Sequence, residues 1–330
     1  MTDTEEEGLT YAAAGVDRAA SEAATSTIAR VLGDFDTAQY AGLLDLGDRY
    51  LALATDGVGT KLLVAHAMGR YDTIGIDCMA MNVNDLVAIG IEPLAFVDYL
   101  AMDEADESLS EALAKGLVRA AECAEVAILG GELAILPEIV TGFDLAGACV
   151  GMAPKDQLFD GGAQPGNLLV GFPSSGIHSN GLTLARTAVT SEFEYTDPFP
   201  TEAEQTIGDV LLEPTRIYTD LLEPLRAAEV NAVAHITGGG WRNLGRLGTH
   251  AYVVDDPLPA QPVFDLIEDT GGISPTEMHR TFNMGTGMVA AVDVSGADIL
   301  LDRTDGQIIG HVTDGSGVTI RGLDLDTTGI

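Results

Sequence analysis

The stretch Asp56-Gly-Val-Gly-Thr-Lys61 follows an apolar run at residues 51–54 and precedes another at residues 62–67. A strand that ends at an acid, turns on two glycines and continues into Thr-Lys offers backbone N–H groups, a hydroxyl, a cation and a carboxylate. This combination is typical of a site for phosphate and a divalent metal. The spacing is not that of a P-loop, and an isolated Asp-Gly-x-Gly is also compatible with an ordinary turn.

Outward from this stretch, short apolar runs alternate with longer Ala-rich stretches, a pattern that predicts an α/β fold with layered sheets and helices. The predicted strands are residues 51–54, 94–100, 127–129, 144–152, 168–172, 232–236, 286–294 and 308–312. The predicted helices are residues 61–68, 76–89, 109–123, 213–225 and 241–247, with one more beginning at Leu182.

The chain has 330 residues, of which 46% are hydrophobic, enough for two ordinary domains with packed cores. Residues 154–166 are rich in Pro and Gly and form the best linker candidate. The predicted division is therefore an N-terminal domain at residues 1–155 and a C-terminal domain at residues 156–330.

The charge balance is strongly acidic, with 16 Lys and Arg against 51 Asp and Glu, a net charge of −35 spread along the chain. Such a surface repels nucleic acid and anionic membranes, which excludes both as expected partners, and it repels itself at low ionic strength. We interpret the excess as adaptation to a salty cytoplasm, which predicts a stability that rises with KCl.

The remaining composition favours a soluble, cytoplasmic protein. The start, MTDTEEEGLT, has acids where a leader would have basic residues, and no apolar run approaches eighteen residues. Cys78, Cys123 and Cys149 are an odd number without a Cys-x-x-Cys and are interpreted as reduced packing residues.

One group of acidic and amide side chains is a candidate metal site. On the predicted helix at 76–89, Asn84 and Asp85 follow Asp77 by seven and eight residues and so lie on one side. With Asp56 and Glu132, which ends the run Ile128-Leu-Gly-Gly-Glu132, they offer the oxygen ligands that Mg²⁺ prefers. The alternative is that each acid is a solvated surface charge, as most acids are.

Two further segments are candidate anion sites. Residues 174–181, Ser-Ser-Gly-Ile-His-Ser-Asn-Gly, lie between a predicted strand and a predicted helix, and are called the His178 loop below. Residues 235–240, His-Ile-Thr-Gly-Gly-Gly, repeat the strand, loop and helix arrangement. The alternatives are an ordinary helix cap and a tight connection. The run Arg280–Gly285 alone is typical of packing, and no zinc spacing or Gly-x-Ser-x-Gly elbow is present.

In this order, these segments resemble the aminoimidazole ribonucleotide synthetase family of purine biosynthesis. The matching segments span nearly the whole chain: residues 11–17, 55–61, 72–77, 82–86, 92–93, 130–132, the His178 loop, 212–218, 235–240 and 280–285. The resemblance implies two α/β domains, and a homodimer in which the N-terminal sheets of two subunits form a barrel. The implied reaction converts formylglycinamidine ribonucleotide and ATP into aminoimidazole ribonucleotide, ADP and phosphate through an iminophosphate.

The resemblance also implies roles for individual residues, with ATP and Mg²⁺ as cofactors and K⁺ as a further candidate. The implied catalytic residues are Asp56, Lys61 and His178, and the implied metal ligands are Asp56, Asp77 and Asp85. The ATP site would include Gly57, Gly59, Thr60, Asn84, Gly131 and Glu132. The ribonucleotide would be bound by Ser179, Asn180, Thr237, Gly238, Gly239 and Asn283.

The chain also departs from the family pattern. Many members have a Lys at the position of Ala12 or Ala13, a glycine-rich loop at residues 43–47, and an acid at Ile135. The alternatives are relatives of the same fold, namely selenophosphate synthetase, thiamine-monophosphate kinase and the hydrogenase maturation dehydratase, or a nucleotide-binding protein without turnover. The kinase is the main alternative, and the His178 loop and residues 280–285 oppose it.

Overall fold

The computed structural model describes residues 8–16, 18–32, 40–159 and 161–325. The acidic start at residues 1–7 and Asp17 of the 11–17 segment lie outside the described residues. Within the described residues, no helix is both long and apolar enough to cross a bilayer.

The N-terminal half folds around a five-stranded sheet. Its elements are α1 (Arg18–Leu32), β1 (Gly42–Asp45), β2 (Arg49–Gly57), α2 (Lys61–Met68), α3 (Ile74–Ala88), β3 (Glu92–Met102), α4 (Glu107–Ala124), β4 (Ala127–Ile135) and β5 (Phe143–Pro154). The strand order is β1-β2-β5-β3-β4, in which β3 and β4 pair in parallel and the other neighbouring strands pair antiparallel. The edge strand β4 is almost entirely exposed.

Helix α3 covers one face of this sheet and is buried on nearly every side. It approaches α4 so closely that a Cβ at Gly75 would collide with the backbone of α4 near Leu117. The sequence from Ile74 to Ala88 is apolar except for a few acid and amide side chains, and burial of its apolar surface holds the helix against the sheet. The polar side chains on this buried helix therefore need partners within the protein.

The opposite face of the same sheet is apolar and exposed. Large hydrophobic side chains project from β2 and β3 into solvent, including Leu53, Val97 and Tyr99. Exposed apolar side chains grouped on one face of a sheet are typical of an interaction surface.

The C-terminal half folds around a seven-stranded sheet. Its elements are β6 (Leu168–Pro173), α5 (Leu182–Val189), β7 (Pro198–Phe199), β8 (Glu202–Thr206), α6 (Ile207–Leu211), α7 (Leu222–Ala227), β9 (Ala232–His235), β10 (Ala251–Val254), α8 (Pro262–Gly271), α9 (Pro275–Thr281), β11 (Thr286–Val292), α10 (Val294–Arg303), β12 (Gln307–Thr313), β13 (Gly317–Ile320) and β14 (Leu323–Leu325). The strand order is β14-β13-β10-β12-β6-β11-β9, and β7 pairs with β8 alone.

Both faces of the second sheet are covered, as its strand β11 shows. All seven residues of β11 are buried. Val289 and Ala291 pack into one apolar cluster with Trp241, while Met288 and Ala290 pack into another with Tyr218. This alternation follows the two-residue period of a strand buried between two layers.

The α/β prediction is confirmed, and several elements were placed closely. The helix at residues 61–68 has the predicted bounds, and the strand predicted at 144–152 extends only slightly further. The two sheets take their strands from residues 42–154 and 168–325. The division at residue 155 stays a prediction.

One predicted element is wrong in its first half. The helix predicted at residues 213–225 is replaced by a segment without regular secondary structure up to Tyr218, a 3₁₀ turn at Thr219–Leu221 and α7. Residues 241–247 likewise form a 3₁₀ helix, which begins at Gly240. Side chains of α3, described next, explain why residues 213–218 are not helical.

Candidate active site

Lys61 and Asp77 form a buried ion pair where the two halves of the molecule meet. Lys61 is the first residue of α2 and Asp77 lies in the first turn of α3. Their Nζ and Oδ1 atoms are 2.8 Å apart, and both side chains are 0% exposed. Lys61 Nζ also donates to the carbonyl of Glu213 at 2.6 Å. The pair is therefore closed off from solvent.

Asp77 is the centre of a larger hydrogen-bond network. Its Oδ1 atom accepts from the backbone N–H of Thr215 at 2.8 Å and from the Thr215 hydroxyl at 2.6 Å. The Ser179 hydroxyl donates to the same oxygen at 3.2 Å. The other oxygen, Oδ2, is buried and has no hydrogen-bond partner within the described part of the chain.

Asn84 holds the same C-terminal segment about two turns further along α3. Its Nδ2 donates to the carbonyl of Arg216 at 2.8 Å, and its Oδ1 accepts from the N–H of Tyr218 at 2.8 Å. At the other end, the Thr73 hydroxyl donates to the carbonyl of Leu212 at 3.3 Å. We call residues 212–218 the strap. Its backbone groups bond to side chains of the N-terminal half, which explains why the strap is not helical.

Asp56 and Asp85 lie on the open side of this region. Asp56 follows the buried part of β2, is exposed, and accepts from the N–H of Gly57 at 2.7 Å. Partial shielding by the surrounding protein and the nearby charge of Asp85 raise the pKa of Asp56 to about 6. Asp85 Oδ1 is 2.9 Å from His235 Nδ1, and its side chain is 17% exposed. The pair of Asp56 and Asp85 faces solvent, whereas Asp77 and its hydrogen-bond network are buried.

His178 is buried at the centre of its loop in the left-handed region, with φ of 60°. Its Nε2 accepts from the N–H of Ser175 at 3.2 Å. Burial, followed by the charges of His235, Lys61 and Arg216, lowers the pKa of His178 well below its ordinary value. The ring is therefore neutral at neutral pH, and since Nε2 is an acceptor, Nδ1 carries the proton.

Two models of known domain families match this chain. Residues 38–153 match the N-terminal domain of AIR synthase related proteins, and residues 164–322 match the C-terminal domain. A protein of Methanosarcina mazei named phosphoribosylformylglycinamidine cyclo-ligase is 44% identical over 332 residues, covering 97% of this chain and 99% of its own. The chain belongs to the phosphoribosylformylglycinamidine cyclo-ligase family.

A second relative supports this assignment, and a solved structure shares the fold. The cyclo-ligase of Thermococcus kodakarensis is 47% identical over 299 residues, covering 86% of this chain and 88% of its own. A solved structure described as AaThiL complexed with AMPPCP and TMP superposes with a TM-score of 0.68 at 19% identity, covering 91% of this chain and 92% of that one. The latter similarity concerns the fold alone.

In this member of the cyclo-ligase family, the residues predicted to bind metal are separated into different environments. Asp56 and Asp85 lie close enough to interact, whereas Asp77 is engaged with Lys61 and the strap. Over the described ranges, no group of three or more His, Cys, Asp or Glu side chains could enclose a metal ion.

Gly131 and Glu132 lie on the exposed edge strand β4. Gly131 pairs with Asp98, Asp98 pairs with Gly147, and Gly147 pairs with Asp56, so these four form one row across the sheet. Strand alternation turns Glu132 to the opposite, exposed face of the sheet. The structure therefore does not bring Glu132 together with Asp56.

The residues predicted to bind phosphate or ribonucleotide lie around the His178 loop. Thr60 Oγ1 is 3.0 Å from Thr183 Oγ1, which ties the turn containing Gly57 and Gly59 to α5. Asn180 lies beside Gly238, the exposed residue of the loop Thr237–Gly239. Asn283 is buried and braces the His178 loop, since its Oδ1 accepts from Ser174 and its Nδ2 donates to the carbonyl of Gly176.

The sequence-based interpretation missed three residues. Thr215 binds Asp77, and Asp98 leans over Gly131, where partial burial raises its pKa. Tyr40 Oη accepts from the N–H of His235 at 3.0 Å and lies 3.3 Å from the His235 carbonyl. An acid inside a predicted apolar strand was the available signal for Asp98. Tyr40 gave no such signal, because its role depends on β9 being a sheet edge.

Proposed function

We propose that this protein closes the imidazole ring of formylglycinamidine ribonucleotide, using ATP and forming aminoimidazole ribonucleotide, ADP and phosphate. The observation that carries the proposal is the 44% identity to a named cyclo-ligase over nearly all of both chains. Because the reaction consumes ATP and an intermediate of purine synthesis, we place it in the cytoplasm.

The chemical difficulty is that an amide oxygen is a poor leaving group. Transfer of the ATP γ-phosphoryl group to that oxygen yields an iminophosphate, and a nitrogen of the same substrate then attacks the carbon and displaces phosphate. The protein contributes positioning and charge neutralisation, as in other phosphoryl transfers. Few groups need to touch the reacting atoms.

Asp56 and Asp85 fit the proposed Mg²⁺ site. Two carboxylates close enough to raise the pKa of one of them repel each other, and a divalent cation between them and the nucleotide would relieve that repulsion. Mg²⁺ is commonly held by one or two carboxylates together with phosphates and water, so a complete protein cage is not required. When bound, it would neutralise charge on the transferring phosphoryl group. K⁺ is a further proposed cofactor without a specific site.

The His178 loop is proposed to bind the ribonucleotide or the migrating phosphoryl group. His178 is neutral and its Nδ1–H is a donor, so it suits an oxygen of the substrate better than it suits proton abstraction. Ser179, Asn180 and the loop at residues 237–239 offer further donors at the same opening. Gly57, Gly59 and Thr60 remain proposed contacts of ATP.

We also propose a homodimer in which the exposed apolar face of the first sheet pairs with its copy. Leu53, Val97 and Tyr99 would be covered, and Glu132 would lie on the shared face near the nucleotide. Light scattering after size-exclusion chromatography should give twice the chain mass, and Val97→Asp should yield monomers. A wild-type mass of one chain would contradict the dimer.

The decisive experiment measures ADP and aminoimidazole ribonucleotide together, from formylglycinamidine ribonucleotide, ATP and Mg²⁺ in about 2 M KCl, which screens the acidic surface. Equal amounts of both products are expected. ADP without aminoimidazole ribonucleotide would favour a small-molecule kinase, and ATP binding without either product would favour a sensor. A parallel reaction with Asp85→Asn controls for contaminating activity.

A further inference from the structure

Buried side chains of the N-terminal half bond to the backbone of the strap. Lys61, Asp77 and Asn84 bond to its backbone at Glu213, Thr215, Arg216 and Tyr218. All three of these side chains are buried, so each bond forms in a region of low dielectric where an unsatisfied group is costly. The strap therefore has one well-defined position relative to α2 and α3.

The strap in turn contacts the His178 loop at both ends. The Ser175 hydroxyl donates to the carbonyl of Pro214 at 2.6 Å, and the Ser179 and Thr215 hydroxyls are 3.2 Å apart. The Tyr218 hydroxyl donates to the carbonyl of Pro173, the last residue of β6, at 2.9 Å. The position of the strap thus sets where the loop begins and where Ser179 lies.

The rings of His178 and Tyr218 complete this connection. They pack edge to face with centroids 6.4 Å apart. Gly287 of β11 lies beneath both rings, and a Cβ there would collide with the Tyr218 hydroxyl and with His178. The imidazole is therefore fixed between the strap, β11 and its own loop.

We propose that the strap is a positioning device: the Lys61–Asp77 pair and Asn84 hold it, and it fixes the His178 loop for binding the ribonucleotide. This inference rests on the proposed function for the identity of the ligand. It assigns Lys61 and Asp77 as positioning residues, in place of the phosphate and metal contacts expected from the sequence. Both side chains are closed to solvent and already bonded.

Thr215 offers a matched pair of variants that test the device without removing a buried charge. Thr215→Val removes the hydroxyl that bonds to Asp77 and contacts Ser179, while Thr215→Ser keeps it. Because small displacements at a binding loop change affinity strongly, we expect Thr215→Val to raise KM for the ribonucleotide about tenfold. The KM for ATP and the Mg²⁺ concentration for half-maximal rate should change less than about twofold, and Thr215→Ser should resemble the wild type.

Hydrogen exchange provides a readout that needs no turnover. Amides of residues 174–181 should exchange faster in Thr215→Val than in Thr215→Ser, while those of the distant strands β10 and β12 should not change. If the wild type makes no aminoimidazole ribonucleotide, the proposed function fails, and the exchange comparison alone then decides whether the strap fixes the loop.

Two results would overturn the proposal. One is equal exchange of the His178 loop in both Thr215 variants together with an unchanged KM for the ribonucleotide. The other is an Asp77→Asn protein that folds and needs about tenfold more Mg²⁺ at an unchanged ribonucleotide KM, because that is the behaviour of a metal ligand.

Discussion

Asp77 and the acidic pair of Asp56 and Asp85 differ in the hydrogen-bond and charge partners that the protein gives their carboxylates. Asp77 receives a cation, a backbone N–H and two hydroxyls on one oxygen. Asp56 receives one N–H from its own turn and faces solvent beside another carboxylate. The sequence had suggested one constellation for all three. The difference separates a carboxylate that organises the fold from carboxylates left available to a ligand.

Removing the positive charge of Lys61 from its buried ion pair with Asp77 should have the largest effect on stability. Lys61→Met leaves Asp77 buried without its counter-charge, and breaking one partner of a buried pair costs about 3–5 kcal/mol of unfolding free energy. Denaturant unfolding in about 2 M KCl measures the loss, at a salt level that screens surface charge. Lys155→Met, which breaks the exposed pair with Asp45, should leave the unfolding curve nearly unchanged. Equal unfolding curves for the two variants would contradict the distinction between the buried Lys61–Asp77 pair and groups that face solvent.

The solvent-facing pair of Asp56 and Asp85 should show the reverse, with a large effect on turnover and little effect on stability. Asp56→Asn should lower kcat/KM by about 10²–10³, the usual range for loss of one electrostatic contact to a transition state. The thermal midpoint should be unchanged or higher, since the substitution removes repulsion with Asp85. Parallel measurement of turnover and melting checks both statements. A lower midpoint with normal turnover would assign Asp56 to the fold instead.

A smaller effect should appear in the pH dependence of Mg²⁺ binding. The folded-state pKa of Asp56 is raised to about 6, so the native carboxylate takes up a proton as pH falls through 6, before an unfolded chain would. Its unfavourable contribution to stability is fully present above about pH 6 and is lost progressively as the pH falls from there towards the ordinary pKa of 3.8. Apparent Mg²⁺ affinity, followed by calorimetry with a nonhydrolysable ATP analogue, should fall about threefold to tenfold from pH 7 to pH 5.5. Asp56→Asn should bind weakly at both pH values, and a pH-independent wild type would contradict the assignment.

Local pattern was sufficient where an element depends on its own residues. The helix at residues 61–68 was placed to the residue, because an apolar run follows a turn of Gly and Thr and ends at Gly69. The buried strand β11 was recognised from its continuous apolar composition. The family was recognised from ordered segments that span nearly the whole chain and is confirmed by relatives of 42–47% identity.

Long-range contacts decided what the sequence pattern could not. Residues 213–218 were predicted as helix, yet their backbone bonds go to Lys61, Asp77 and Asn84, more than a hundred positions away. Side chains on one face of a helix do point together, which is why the spacing on α3 suggested a metal site. Here Asp77 and Asn84 bond to the strap instead. The roles of the individual site residues stay predictions.

The strap also has a consequence for inheritance. Its residues belong to the C-terminal sequence, and the side chains that hold its backbone belong to the N-terminal sequence. A hybrid gene that joins halves of two relatives near residue 160 would separate these partners at the splice. The strap and α3 must therefore be exchanged together, and they form one unit of recombination although more than a hundred residues divide them.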